Sequence, residues 1–158
     1  MHNLDLEARV HSEHPEALRL WLRLLTCTQL IERRVRTGLR EAFDTTLPRF
    51  DLMAQLERHP EGLKMKELSH RLMVTGGNIT GITNQLEAEG FVERVEVADD
   101  RRAFRVRLTA AGHATFAAMA QAHEGWIVGA FEGLSSSDMA QLHQLLGRVK
   151  QQQHQRRP

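Results

Sequence analysis

Asp99-Asp100-Arg101-Arg102-Ala103-Phe104-Arg105-Val106-Arg107-Leu108-Thr109-Ala110-Ala111-Gly112 is the stretch that decides how this chain folds. Phe104, Val106 and Leu108 alternate with Arg105 and Arg107, the period-two pattern of a strand that buries one face and turns arginines outward. Residues 99–102 read as a turn that presents two adjacent guanidinium groups. Thr109 reads as an N-cap, with Gly112 in the first turn of the helix that follows.

Working backwards, residues 91–97 supply the strand that pairs with this one. Before it, residues 75–89 read as a helix with Ile79, Ile82 and Leu86 on its buried stripe and Gly90 as its stop signal. A rotation of about 100° per residue puts Gly77, Thr80, Gly81 and Asn84 on the opposite face, with Asn78 and Thr83 flanking it. Upstream, Met65, Leu68 and Leu72 share a face of residues 64–72, and a short turn at Met73-Val74 precedes Thr75. Helix, tight turn, helix and basic hairpin in this order make a winged helix-turn-helix, a fold that reads DNA.

Outward from that unit, the apolar residues Leu18, Leu22, Leu24, Leu25, Ile31, Val35 and Leu39 recur at helical spacing. They predict a helix about 35 Å long at about 1.5 Å per residue, more than a small winged helix can cover. Asp44-Thr45-Thr46 caps the next helix, which carries Phe50, Met53 and Leu56 and accepts Pro48 in its first turn. Beyond Thr109, Phe116, Met119, Ile127 and Phe131 mark a fifth helix that ends at Gly133-Leu134. Ser135-Ser136-Ser137-Asp138 caps a sixth, with Met139, Leu142, Leu146 and Val149 on one stripe. The expected class is mainly α with a small β-hairpin wing. Its parts are a flexible arm (1–14), a long helix of the dimerisation region (15–43), the winged helix-turn-helix DNA-binding domain (44–109) and C-terminal dimerisation helices (110–158). The apolar faces outside the winged helix lack intrachain partners large enough to cover them, so a homodimer with two reading heads is expected.

Composition narrows the function. The 158 residues carry 21 Lys+Arg against 20 Asp+Glu, a formal net charge of +1, so affinity for double-stranded DNA must come from local clustering rather than bulk charge. A single cysteine, Cys27, excludes an internal disulfide framework and fits a reducing compartment. No apolar run approaches the roughly 20 residues that span a bilayer, and residues 1–16 lack the apolar core of a signal peptide, so a soluble cytoplasmic protein without a membrane partner is expected. No phosphate-binding glycine loop, nucleophile elbow or paired-carboxylate motif stands in the chain, which argues against an enzyme. The nine histidines are scattered, and neither a metal nor another cofactor is expected.

These residues resemble the MarR family of bacterial transcription regulators (multiple antibiotic resistance regulators) from Leu18 to about Val149. The resemblance rests on Leu86-Glu87-Ala88-Glu89-Gly90-Phe91-Val92-Glu93-Arg94 and on the wing pattern Asp100-x-Arg102-x-x-x-Val106-x-Leu108-Thr109-x-x-Gly112. It implies an intertwined homodimer on pseudo-palindromic operators, released by a small ligand or by oxidation. Arg102 matches the wing arginine that enters the minor groove, and Asp100 the acid that orients a neighbouring arginine. Thr75, Thr80 and Asn84 match recognition-helix positions that meet phosphate or bases. Gly81 stands where many relatives carry Arg or Lys, which implies weaker direct base reading here.

The candidate DNA contacts are therefore Thr75, Gly77, Asn78, Thr80, Gly81, Thr83, Asn84, Asp100, Arg101 and Arg102. Asn can pair with adenine through two hydrogen bonds, Thr can meet a phosphate or a thymine methyl, and a guanidinium is drawn to narrow A·T-rich minor grooves. A candidate effector site combines Arg33, Arg34, Arg36 and Arg40 with apolar walls from Phe50, Met53, Met119 and Trp126. It suits an aromatic carboxylate or an aromatic acyl-coenzyme A thioester. The plain alternatives are a solvated arginine face and ordinary core packing. Cys27, between Leu24 and Ile31, reads as a packed residue rather than an oxidation sensor. A redox- or metal-sensing regulator and an architectural DNA binder without an effector are the rival functions.

Overall fold

Local signals at the ends of each element set the architecture. In the computed structural model, which describes residues 13–72, 78–98 and 100–155, the elements are α1 (Pro15–Phe43), α2 (Leu47–Glu57), β1 (Leu63–Lys64), α3 (Met65–Leu72), α4 (Ile79–Ala88), β2 (Val92–Val97), β3 (Asp100–Leu108), α5 (Ala110–Ala130) and α6 (Ser136–Gln155). The chain is mainly helical with one small antiparallel sheet, as the pattern of residues implies.

α1 has 29 residues and spans about 43 Å. It stops at Asp44, whose φ of 50° is left-handed and whose N–H returns to the carbonyls of Arg40 and Leu39. Thr46 then accepts the Arg49 N–H to open α2, with a proline in its first turn. α4 ends at Gly90, where φ is +79°, and the Phe91 N–H closes the helix on the Leu86 carbonyl at 2.9 Å. A reciprocal cap opens α6. Ser135 Oγ accepts the Asp138 N–H at 3.1 Å, while Asp138 accepts from the Ser135 hydroxyl and N–H. Those bonds hold the Asp138 carboxyl below its ordinary range.

The sheet order is β1-β3-β2, both pairings antiparallel. β1 is a third strand that the hairpin reading omitted, because two residues are too few to show a period. Leu63 sits opposite Val106. Gly62, at φ +88°, lets the chain enter β1 against the Val106 backbone, where a Cβ would lie 2.7 Å from the carbonyl oxygen. The wing also differs from the expected turn at 99–102. Glu96 pairs with Phe104 and Val97 with Asp100, so β2 advances one residue while β3 advances four. Residues 101–103 thus form a bulge within β3 and have no counterpart opposite.

Leu39, Leu52, Leu56, Leu68, Leu86 and Val106 are fully buried, joining α1, α2, α3, α4 and the sheet in one core that Met53 and Met119 complete. One knot ties the hairpin to both neighbouring helices. The Thr109 hydroxyl donates to the Gly90 carbonyl at 2.6 Å and accepts the Gly112 N–H at 3.0 Å, while the Thr109 N–H meets the Phe91 carbonyl at 3.0 Å. In contrast, α6 has no buried residue, and Leu18, Leu20 and Trp21 on α1 are exposed. Cys27 is exposed too, which corrects its reading as a packed residue: its stripe neighbours Leu24 and Ile31 are only half-buried among the described residues.

The two kinds of glycine in α5 give a direct test. A Cβ at Gly112 would collide with the Phe91 carbonyl, whereas one at Gly125 would meet nothing. Gly112→Ala should therefore cost about 1–3 kcal/mol of unfolding free energy, the range for overpacking a filled site. Gly125→Ala should gain about 0.5–1 kcal/mol through helix propensity. Denaturant unfolding of the two variants beside wild type checks both signs.

Candidate nucleic-acid interface

The outward face of α4 is small and polar. Asn78, at its N-cap, Thr80 and Asn84 are exposed, and Gly81 between them is half-buried under the Asn78 side chain, whose Oδ1 and Cγ occupy the space a Cβ would fill. A larger residue at 81 would have to displace the Asn78 amide, so the glycine and the asparagine form one shape. Thr75 and Gly77 lie outside the described residues.

Thr83 does not belong to this face. It is fully buried and its hydroxyl donates to Met65 Sδ at 3.8 Å. Position 83 lies four residues after Ile79 and three before Leu86, so it continues the buried stripe against α3 and cannot touch DNA from there.

Asn84 has a neighbour that the sequence reading missed. Arg94 on β2 donates to Asn84 Oδ1 at 2.5 Å, pairs with Glu87 at 3.1 Å and lies over the Phe104 ring at 4.9 Å. This guanidinium ties the hairpin to the outward face of α4 and leaves the Asn84 amide N–H groups available. Among the arginines of β3, Arg107 is held by Glu93 at 2.6 Å and Arg105 donates to the Gly62 carbonyl at 3.1 Å. Both are engaged in the sheet, so only Arg101 and Arg102 belong to the bulged tip, next to exposed Asp100.

The proposed effector residues separate into two groups. Arg33, Arg34, Arg36 and Arg40 are all exposed on α1. Arg36 pairs with Glu32 at 3.7 Å, and the Arg34 guanidinium lies against Gly129 of α5. Arg36 also stands near Asp51. That carboxyl is pushed above its ordinary value by burial, with Glu32 adding to the rise and His123 and Arg36 opposing it. Phe50, Met53 and Met119 are core residues. Phe50 stacks on Phe116 and His123 with centroids at 5.5 and 5.0 Å. Trp126 packs its ring against Gly38.

Met53 and Met119 do reach a cleft of about 260 Å³, whose other walls include Phe43, Thr45, Arg49, Glu89 and Phe91. None of the four α1 arginines lines it. The cation here is Arg49, a residue whose setting among apolar neighbours on α2 gave no sequence signal. Its Nη2 pairs with Glu89, and its Nε is buried without a hydrogen-bond partner among the described residues. Among those residues no group of His, Cys, Asp or Glu could hold a metal ion, and no helix is long and apolar enough to cross a membrane.

Comparison with known proteins fits this geometry. The MarR family profile matches residues 43–103. The chain is 32% identical over 139 residues to the transcriptional activatory protein BadR of Rhodopseudomonas palustris, covering 82% of this chain and 76% of BadR. The crystal structure of a MarR family transcriptional regulator from Silicibacter pomeroyi superposes with a TM-score of 0.75 at 32% identity, over 90% of this chain and 99% of that one. A mutant MarR from E. coli complexed with operator DNA has the same fold, with a TM-score of 0.73 at 24% identity over 88% of this chain and 99% of that one. The chain thus belongs to the MarR family of transcriptional regulators, which are not enzymes.

Proposed function

We propose that this regulator is a ligand-responsive repressor that binds a pseudo-palindromic operator as a homodimer. α4 enters the major groove through Asn78, Thr80 and Asn84, and the bulged wing tip enters the minor groove through Arg101 and Arg102. The observation that carries this reading is the coupling of the two elements by Arg94, which fixes the α4 face and the wing hairpin as one rigid head. The E. coli relative crystallised with operator DNA supports it. BadR is named an activatory protein, so reporter expression with the operator in its native place decides the sign of regulation.

The dimer reading rests on uncovered apolar surface. Leu142, Leu145, Leu146 and Val149 on α6 are 38–54% exposed, a stripe that a second copy would bury. The effector reading moves from the α1 arginines to Arg49. A carboxylate seated in the 260 Å³ cleft satisfies the orphan Nε–H and competes with Glu89, the C-cap residue of α4. Binding there acts on the recognition helix directly. The size suits a small aromatic acid, with the coenzyme A part of a thioester left outside.

Three outcomes test these statements. Arg102→Ala should weaken operator binding by about 1–3 kcal/mol, while Arg148→Ala on exposed α6 should leave it unchanged. Equal losses in a fluorescence binding assay would remove the wing from the interface. Leu142→Asp combined with Leu146→Asp should sediment at the 18.0 kDa chain mass, where wild type sediments at twice that. Calorimetric titration with a panel of aromatic carboxylates should give heat for at least one, and Arg49→Gln should weaken it at least about tenfold, the loss of one charged hydrogen bond. A panel that gives no heat with wild type would end the effector reading.

A further inference from the structure

Asn84 is exposed on α4, yet its side chain is not free to turn. An asparagine amide on a helix surface rotates about a broad, two-fold torsion and can present either its carbonyl oxygen or its NH2 group. Arg94 removes that choice. One of its Nη groups donates to Asn84 Oδ1, the other pairs with Glu87 Oε2 at 3.1 Å, and its Cζ lies 4.9 Å from the centroid of the Phe104 ring.

Chemistry fixes the sense of the bond. A guanidinium carries donors and no acceptor, so the atom of Asn84 that faces it must be the carbonyl oxygen. Glu87 holds the other side of the fork from the next turn of α4, and Phe104, diagonal to Arg94 across the pairing of β2 with β3, supports its face. Held at three points, the guanidinium has little freedom left to lose, and a charge-assisted bond of this kind is roughly twice as strong as a neutral one. The amide is therefore clamped with its oxygen toward the hairpin. Its N–H groups sit on the other branch of the planar amide, away from β2, and they are what Asn84 has left to offer a ligand.

The major-groove edges of the bases differ on this point. Adenine presents an acceptor, N7, beside a donor, the N6 amino group, and an asparagine reads it by turning oxygen and NH2 toward it together. Guanine presents two acceptors, N7 and O6, whereas cytosine presents the N4 amino donor. An amide whose oxygen is engaged by a cation meets the guanine edge with matching donors and leaves the adenine amino group unanswered. Polar groups left unpaired in a desolvated contact are what make such recognition selective. We propose that Arg94 is a positioning residue for base choice: by holding Asn84 Oδ1 it makes the amide a donor-only reader, and the base that Asn84 selects is guanine rather than adenine. The proposal rests on the reading above in which α4 enters the major groove, and it names a base that reading leaves open. It also replaces the adenine pairing expected of an unrestrained asparagine.

The test is selection of bound duplexes from a random pool by the full chain, followed by affinities on four duplexes that differ only at the base pair Asn84 faces. That pair is identified as the one at which Asn84→Ala loses discrimination. Wild type should prefer guanine over adenine there by about tenfold, toward the lower end of what a well-made base contact gives. Arg94→Ala frees the amide to turn, so it should bind the adenine duplex as well as the guanine one. A merely structural role for Arg94 would instead lower binding to all four duplexes by one factor and keep their ratios, which overturns the proposal. So does a wild-type preference for any other base, a result that stands whether or not Arg94→Ala folds. If Asn84→Ala loses discrimination at no pair while wild type still selects an inverted repeat, the proposal fails and the operator reading survives. Wild-type protein that selects no repeat at all defeats the operator reading, and this proposal with it.

Discussion

The structure depends on the hydrogen bonds that converge on Thr109. One hydroxyl takes the Gly90 carbonyl at the end of α4 and receives the first-turn N–H of α5, and the same residue's N–H holds the Phe91 carbonyl at the root of the hairpin. Three elements are therefore indexed to one residue. Gly112 must be a glycine because α5 passes so close to Phe91. Without this knot the wing could pivot against the recognition helix, and a bulge at 101–103 would have no defined place beside α4. Arg94, two residues into β2, makes a second connection between the hairpin and α4 by joining Asn84, Glu87 and Phe104. Between them, the two contacts turn a helix and a two-stranded ribbon into a single rigid reader.

Much of this was legible in the sequence because it rests on local rules. Thr46, Thr109, Ser135 and Gly90 announce their caps by residue type and spacing, and the alternation at 104–108 announces β3. The misreadings have a common origin in tertiary contacts. Thr83 is polar, yet its helical phase carries it into the core against Met65. β1 is two residues long and exists only because β3 offers it an edge. The wing turn shifted because register, not composition, decides which residues bulge. Arg49 gained its place only when α2 and the end of α4 came together, since Glu89 lies 40 residues away in sequence.

Charge shows the same division between composition and placement. A net of +1 describes a nearly neutral protein, but the arginines are not equivalent. Arg36, Arg49, Arg94 and Arg107 are matched by carboxylates, and Arg105 by a carbonyl. Among the described residues, Lys64 at β1, Lys66 and Arg71 on α3, Arg33 and Arg40 on α1, and Arg148 and Lys150 on α6 have no carboxylate within ion-pair distance. Paired arginines build the scaffold, and the unpaired cations are left to the solvent-exposed surface. Such an arrangement keeps long-range attraction to nucleic acid modest while leaving steep local contacts.

The recognition face itself argues for reading by shape. With glycine at 81 and the Asn78 amide folded over it, α4 offers short side chains and no long cation among Asn78, Thr80, Gly81 and Asn84. Each good two-pronged base contact contributes about 1–3 kcal/mol of discrimination, and here Asn84 already shares its oxygen with Arg94. On the proposed homodimer, fewer strong base contacts would make the remaining terms decisive: the width of the minor groove under the wing and the distance between the two heads. A regulator that discriminates through head spacing is sensitive to small rotations of those heads. The Arg49–Glu89 pair sits at the C-terminal end of α4, so a ligand that captured Arg49 would act on that spacing. Typical coupling energies of about 1–3 kcal/mol between two sites match the energy of a single such contact, so on the proposed reading the capture of one guanidinium would suffice to release a head.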